Sequence, residues 1–283
     1  MIRAALSLVP AMALLAGCNS ATPPGVVQAT RNQPATSATP VLATAGAPAP
    51  APLVTAAPSR APAASATPVP AGHTGYVAPA TVSGPVTLHP PAPGTYAYTM
   101  TSDSGSQSVS VAVSALQGST DRLTWHSSNR GQSGQLDETL SWPGSAVFIT
   151  EVMAHTGAVS YTCALSPPVK AAPSPLAAGD SWSSDSTCSV AGGTLHWTEQ
   201  DHVTGTDTVQ VGGVSVLTYL ISVSRTVTLT GGATAFTSTT SARDWFAPSL
   251  GLEVRDESTS TASSGGKSKT GTSTLQLDST QPQ

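Results

Sequence analysis

Between residues 108 and 115 the chain reads Ser108-Val109-Ser110-Val111-Ala112-Val113-Ser114-Ala115, apolar and small polar residues in near-strict alternation. A period of two puts every second side chain on one face of an extended chain, which is the pattern of a half-buried strand. The same period recurs at 122–126 and 214–219, and comparable segments lie at 96–101, 135–141, 146–153, 159–163, 194–203, 206–211, 225–229, 233–245, 252–258 and 272–277. Turn-forming residues separate them: Pro143-Gly144, Thr156-Gly157, Gly192-Gly193, Gly212-Gly213, Gly231-Gly232, Gly251 and Gly265-Gly266. Strands so closely spaced pair as sequential antiparallel neighbours. No stretch carries a helical period, so the apolar face must be covered by the sheet itself. The fold expected is all-β, an antiparallel meander forming a strongly curved sheet or barrel, with a β-sandwich as the alternative. The one long connection, 164–180, is proline-rich and is expected to be an irregular excursion.

All five tryptophans and all three phenylalanines lie beyond position 93. They place the core in a single β-rich domain over 93–283, large enough to bury about 70% of its unfolded surface. Residues 18–92 are dominated by Ala, Pro, Thr and Ser, as in Ala47-Pro48-Ala49-Pro50-Ala51-Pro52. Such a composition cannot bury enough apolar surface to offset the entropy of ordering. It is expected to form a disordered stalk, reaching at most ~230 Å at ~3.1 Å per residue in polyproline II.

Ahead of the stalk, Arg3 precedes an apolar run over 4–15 that ends in Leu15-Ala16-Gly17-Cys18. The run is too short for a spanning helix, which needs ~20 apolar residues, and has the layout of a signal peptide. The four residues resemble the lipobox of bacterial lipoproteins. That resemblance implies a signal peptide over 1–17, lipid on Cys18, and a membrane partner reached through that lipid. The implied location is the extracytoplasmic face of the cell membrane, or an outer membrane in a two-membrane bacterium, since Asn19 lacks the acidic side chain associated with inner-membrane retention. If Cys18 carries lipid, Cys163 and Cys188 remain as one pair. An exported setting permits their disulfide, which by loop entropy contributes about 3 kcal/mol; the alternative is two buried thiols.

Charge is sparse and skewed: Arg3, Arg31 and Arg60 are the only charged residues before position 100, which leaves eight basic against fifteen acidic residues beyond it. Phosphate-backbone binding needs clustered Lys and Arg, so nucleic acid is not an expected partner.

Three short motifs stand out: Pro93-Gly94-Thr95-Tyr96-Ala97-Tyr98, Ala178-Gly179-Asp180-Ser181-Trp182, and the run Trp245-Phe246-Ala247-Pro248-Ser249-Leu250-Gly251-Leu252-Glu253-Val254-Arg255. Together they resemble a class of uncharacterised exported proteins of the actinobacterial type, in which an aromatic-Ala-Pro-x-x-Gly-Leu hairpin follows a Gly-x-x-Trp strand. More remotely they resemble curved-sheet lipoprotein carriers, which hold acyl chains against a concave face. Those carriers close the concavity with helices, and this chain has no helical segment to do so. On the ordinary roles of Pro and Gly, the 245–255 run is a structural turn.

His126, His155, His196 and His202 show no i, i+2 or i, i+4 pairing that would hold a metal on one face. His126 and His196 are expected on the solvent face. No Gly-x-Ser-x-Gly elbow and no helical Ser-x-x-Lys occurs, although a Ser-His-Asp triad drawn from distant strands needs neither. Two acidic clusters, Glu199 with Asp201 and Asp207, and Asp244 with Glu253, Asp256 and Glu257, read as solvated hairpin faces that discourage edge pairing. They lack the Asp-rich loop pattern of a calcium site. No cofactor and no catalytic residue is expected. The role expected is non-enzymatic binding of an apolar or amphiphilic ligand such as a lipid. The alternatives are a cell-envelope interaction or structural module without a ligand cavity, binding wall polymer or another protein, and a hydrolase with a dispersed site.

Overall fold

The computed structural model describes residues 84–129, 132–156, 159–190, 192–231 and 235–283, all within one compact unit. The expected leader, Cys18 and the expected stalk as far as residue 83 lie outside the described residues. Twelve strands follow one another: β1 (Gly94–Ser102), β2 (Gly105–Val113), β3 (Thr120–Asn129), β4 (Gln132–Ser141), β5 (Ala146–Thr156), β6 (Val159–Pro173), β7 (Ser181–Val190), β8 (Gly193–Val211), β9 (Val214–Thr230), β10 (Phe236–Ala247), β11 (Leu252–Ser264) and β12 (Lys267–Leu277). No helix occurs among the described residues.

Each strand pairs with its sequence neighbour, and β1 closes the ring against β12 in a register running from Tyr98 opposite Leu277 to Ser102 opposite Ser273. The fold is therefore the expected meander barrel, and the sandwich does not form. A barrel has no free sheet edge, whereas a sandwich of twelve strands would expose four. Six hairpins, beginning with β1–β2, lie at one rim, here the upper. The other five connections and both ends of the described domain lie at the lower rim.

Period-two reading locates most strands and misjudges three places. The proline-rich connection is a strand: β6 continues to Pro173, leaving only 174–180 to link it to β7. Proline is tolerated there because β5 supports one side of the strand through Ala146 opposite Pro173 and Ile149 opposite Val169, while Ser and Thr side chains of β7 replace ladder bonds on the other. Second, β7 shows only Trp182, Cys188 and Val190 as large apolar residues among Ser and Thr, too few for periodicity to register. Third, 194–203 with 206–211, and 214–219 with 225–229, merge into β8 and β9. A bulge between Val203 and Gly205 carries an extra residue through β8, so pairing continues. Between those two strands Gly212 and Gly213 have φ of 57° and 82°, the conformation that a tight two-residue hairpin demands at both positions.

The inner face divides into two halves. In the lower half Leu123, Leu140, Ile149, Ile221, Phe246 and Leu277 are buried, and the large rings of Tyr98, level with Leu277, and Trp125 pack with centroids 5.6 Å apart. Residues 84–93 cross beneath this layer. Val86 pairs with Leu176, the Leu88 amide donates to Ser174 Oγ at 3.1 Å, and the Tyr219 hydroxyl donates to the Gly84 carbonyl at 3.2 Å. Gly251, with φ of 66°, lies so close to this segment that a Cβ would stand 2.5 Å from the His89 carbonyl oxygen; the Gly in the 245–255 hairpin thus lets the chain pass below it. In the upper half the inner face mixes small residues, Ser127, Gly134, Ala154, Ser260, Gly271 and Ser273, with the larger Leu195, Trp197, Val227 and Phe236. Eight strands already make a barrel that side chains just fill, and diameter grows with strand number.

The disulfide expected between Cys163 and Cys188 is present, with Cα atoms 5.4 Å apart. Both residues face inward, from β6 and β7.

Candidate functional site

At mid-height the inner wall turns polar. Strand β8 presents Leu195, Trp197, Glu199, Asp201 and Val203 to the interior in unbroken alternation, and all five are buried. Opposite Glu199 in register stands Arg225 of β9, 5% exposed against 1% for Glu199. Its Nε donates to Glu199 Oε2 at 2.5 Å. The guanidinium carbon lies 4.9 Å from the centre of the Trp197 ring, and Trp197 Nε1 donates to the same carboxylate at 3.2 Å. A buried charge needs a partner and satisfied hydrogen bonds, and this trio supplies both. Burial alone lowers the Arg225 pKa, but Glu199 in contact, with Asp244 and Asp201 nearby, more than offsets it and holds the guanidinium protonated.

Next to this pair, Asp244 of β10 faces Asp256 of β11 across the ladder, and Glu253 turns inward below them. A bulge between Trp245 and Phe246 shifts the register so that Glu253 opposes the inward Phe246. One oxygen from each of Asp244, Glu253 and Asp256 lies within 4.8 Å of the others. That spacing suits a metal ion, yet the guanidinium of Arg225 already brings positive charge to the same group. A small cavity bounded by Val223, Arg225, Thr240, Asp244, Asp256 and Ser258 opens between them. Elsewhere on the inner wall, Trp125 Nε1 donates to Glu138 at 2.9 Å, and the Tyr98 hydroxyl donates to the Glu253 carbonyl oxygen at 2.9 Å.

The expectation that both acidic clusters are solvated faces is overturned for Glu199, Asp201, Asp244 and Glu253, each less than 5% exposed. Asp207 stays exposed and Glu257 lies on the outer face with Arg243 and Arg255. The physical reason is parity. Residues 199 and 201 share the inward face of Trp197, and at this height of the barrel that face is buried. Burial raises the carboxyl of Asp256 above its usual 3.8, even though hydrogen bonds with Asp244 and Ser258 and the charge of Arg225 pull the other way. A native carboxyl that binds its proton more tightly than the unfolded chain costs stability once the pH exceeds the unfolded value. Asp256→Asn, which keeps a hydrogen-bonding group without the charge, is therefore expected to raise Tm at pH 7. The gain should shrink as pH falls toward 3.8, and thermal melts across that range check it.

The remaining sequence candidates lie outside the barrel. His126 and His196 are on the solvent face as expected. His196 Nε2 meets Asp185 Oδ1 at 2.7 Å, and Ser181 Oγ meets His202 Nδ1 at 2.8 Å. Both pairs stand on the convex face of β7 and β8 as two separate couples. The hairpin 245–255 behaves as a structural turn: Leu250 and Gly251 amides donate to the Ala247 carbonyl at 3.1 and 3.0 Å. Trp245, 6% exposed, is packed between Arg243 and Arg255, with Nε1 on Asp207 Oδ2 at 2.9 Å. Over much of the exterior the outward residues are hydroxyls, including Ser224, Thr226 and Thr228 of β9, Thr237 and Thr239 of β10, and Thr259 and Thr261 of β11. Lipid-facing barrels carry an apolar band in their place.

The class so defined is a closed twelve-stranded antiparallel meander barrel with a hydroxyl-rich exterior, a plugged lower end and a charged group at mid-height inside. No protein-family model matches the chain, and no curated protein is similar to it. Among solved structures, the hypothetical lipoprotein YmcC from Escherichia coli (K12) aligns over 68% of this chain and 90% of that chain at 10% identity, with a TM-score of 0.34. At that level the likeness decides nothing about function.

Proposed function

We propose that this chain is a lipid-anchored extracytoplasmic binding protein whose barrel accepts an amphiphilic ligand through its upper half. The observation that carries the reading is the change of side-chain size along the inner wall. Large rings and aliphatic side chains fill the lower half, whereas the upper half sets Ser127, Gly134, Ala154, Ser260, Gly271 and Ser273 among fewer bulky side chains such as Trp197, Leu195 and Phe236, a light lining for twelve strands. Met100, Leu195, Val227, Leu229 and Phe236 add apolar side chains toward the upper rim on β1, β8, β9 and β10, and the Arg225 group lies beneath them as a polar layer. A ligand with an apolar body and one polar end matches that sequence of surfaces. Binding rather than catalysis is favoured because the serine–histidine contact lies on an exposed convex face. The anchor is Cys18, and the exterior supports the need for one, since the described outward residues of β9 to β11 are hydroxyls where a lipid-facing band would be apolar.

Native mass spectrometry of protein purified from its own membranes in mild detergent tests the chamber. A bound species of discrete mass is expected, released on unfolding and reduced at least tenfold in occupancy by Ala154→Trp, which fills the upper half. Repeated preparations without any bound mass would overturn the reading and leave the hydroxyl face, suited to a wall polymer, as the surface to test.

A further inference from the structure

Eleven of the twelve strand seams carry extended backbone ladders, while β6 and β7 share a single pairing, Ser166 opposite Thr187. Side chains stand in for the missing bonds at the proline-rich end: Ser184 Oγ accepts from the Lys170 amide at 2.8 Å, Ser186 donates to the Pro167 carbonyl at 2.5 Å, and Thr187 donates to the Ser166 carbonyl at 3.3 Å. Toward the upper rim, beyond Ser166, no ladder pairs the two strands, and the Cys163–Cys188 disulfide lies in this stretch. On the outside of the same seam runs a groove of ≈ 470 Å³, lined by Thr162, Ala164, Ser166, Thr187 and Ser189 and reaching Cys188. Cys188 of β7 is thus part of the groove's lining. Of the two cysteines Cys188 is the more accessible, 6% against 1% exposed.

We propose that Cys163–Cys188 is a thiol-exchange site that latches a side opening of the barrel between β6 and β7. The reaction partner is an extracytoplasmic dithiol, small or protein-borne. One of its thiolates attacks Cys188 Sγ, forming a mixed disulfide and expelling Cys163 as a thiolate, which takes up a proton. The second thiol then displaces Cys188, so the protein gains two electrons and two protons as two thiols and the dithiol becomes a disulfide. Without the covalent bond, the upper part of the seam has no ladder to hold it, and it opens locally while the eleven laddered seams persist. The inference rests on the seam alone and stands whether or not the chamber binds an amphiphile.

The test treats the full-length native protein with dithiothreitol, followed by iodoacetamide labelling with peptide mapping and by hydrogen exchange. Reduction without denaturant is expected, with Cys188 alkylated faster than Cys163. Exchange should accelerate at least tenfold in peptides covering 160–166 and 186–190, while peptides from β9 to β12 keep their protection. The Cys163→Ser/Cys188→Ser double variant should reproduce that local pattern if it folds; the wild-type reduction decides the matter if it does not. A bond that resists dithiothreitol until the barrel is unfolded by guanidinium would overturn the proposal. So would exchange that rises throughout the barrel, or nowhere, on reduction.

Discussion

Arg225→Met is expected to destabilise the barrel by about 3–5 kcal/mol, because removing one partner of a buried pair leaves the other charge uncompensated. For a domain of this size that corresponds to a fall in Tm of roughly 6–20 °C. The expectation follows from position: the Arg225 and Glu199 side chains are 5% and 1% exposed, their contact is direct, and Asp244 and Asp201 lean on the same guanidinium electrostatically. Methionine keeps the aliphatic packing against Trp197 but supplies no donor. The loss should be smaller at low pH, where the stranded carboxylates take up protons and the missing charge matters less. Arg225→Met combined with Glu199→Leu should recover much of the stability, as replacing a whole buried pair by apolar side chains is often neutral. Guanidinium denaturation of the wild type and both variants measures the effect. A loss below ~1 kcal/mol in the single variant would mean that the ion pair has been assigned a weight it does not have.

Membrane retention is expected to vanish when Cys18→Ala is exported behind an ordinary cleavable leader in place of residues 1–17. Two acyl chains, at ~0.8 kcal/mol per buried CH₂, give attachment that is effectively permanent, whereas one chain gives only marginal binding. The wild type should therefore remain in the pellet after a carbonate wash and the variant should move entirely to the supernatant. The variant must keep its Cys163–Cys188 bond, since neither residue depends on Cys18 for a partner. Mass spectrometry of the wild type should find a mature N-terminal peptide beginning at Cys18 with diacylglyceryl mass added. A wild-type N-terminus at another residue, or a variant that still pellets, would refute the lipobox assignment.

Much of the fold was legible in residue order. Alternation in 108–115 and its repeats marks which side chains face inward, and glycine pairs mark the hairpins; Val109, Val111 and Val113 are buried as that pattern requires. The disulfide followed from counting cysteines once Cys18 was set aside. The charged interior was also written in the sequence and passed over: Leu195, Trp197, Glu199, Asp201 and Val203 occupy one parity, and Arg225 lies between Val223 and Val227 on another. A hairpin carboxylate is usually a surface group, and that general rule overrode the local period. The period was the better guide, because at mid-height the inward parity of β8 and β9 is buried.

The sequence by itself determined the strands, most of the turns and which side of each strand is apolar, because these depend on neighbours two residues apart. Only the tertiary structure decided that the sheet closes through β1 and β12, that Glu199 meets Arg225 across 26 residues of chain, and that the seam between β6 and β7 is held by a disulfide in place of a ladder. The reason is the same in each case. Register between strands is a cooperative outcome of bulges at Val203/Gly205 and Trp245/Phe246, and a shift of one residue would turn every inward charge outward.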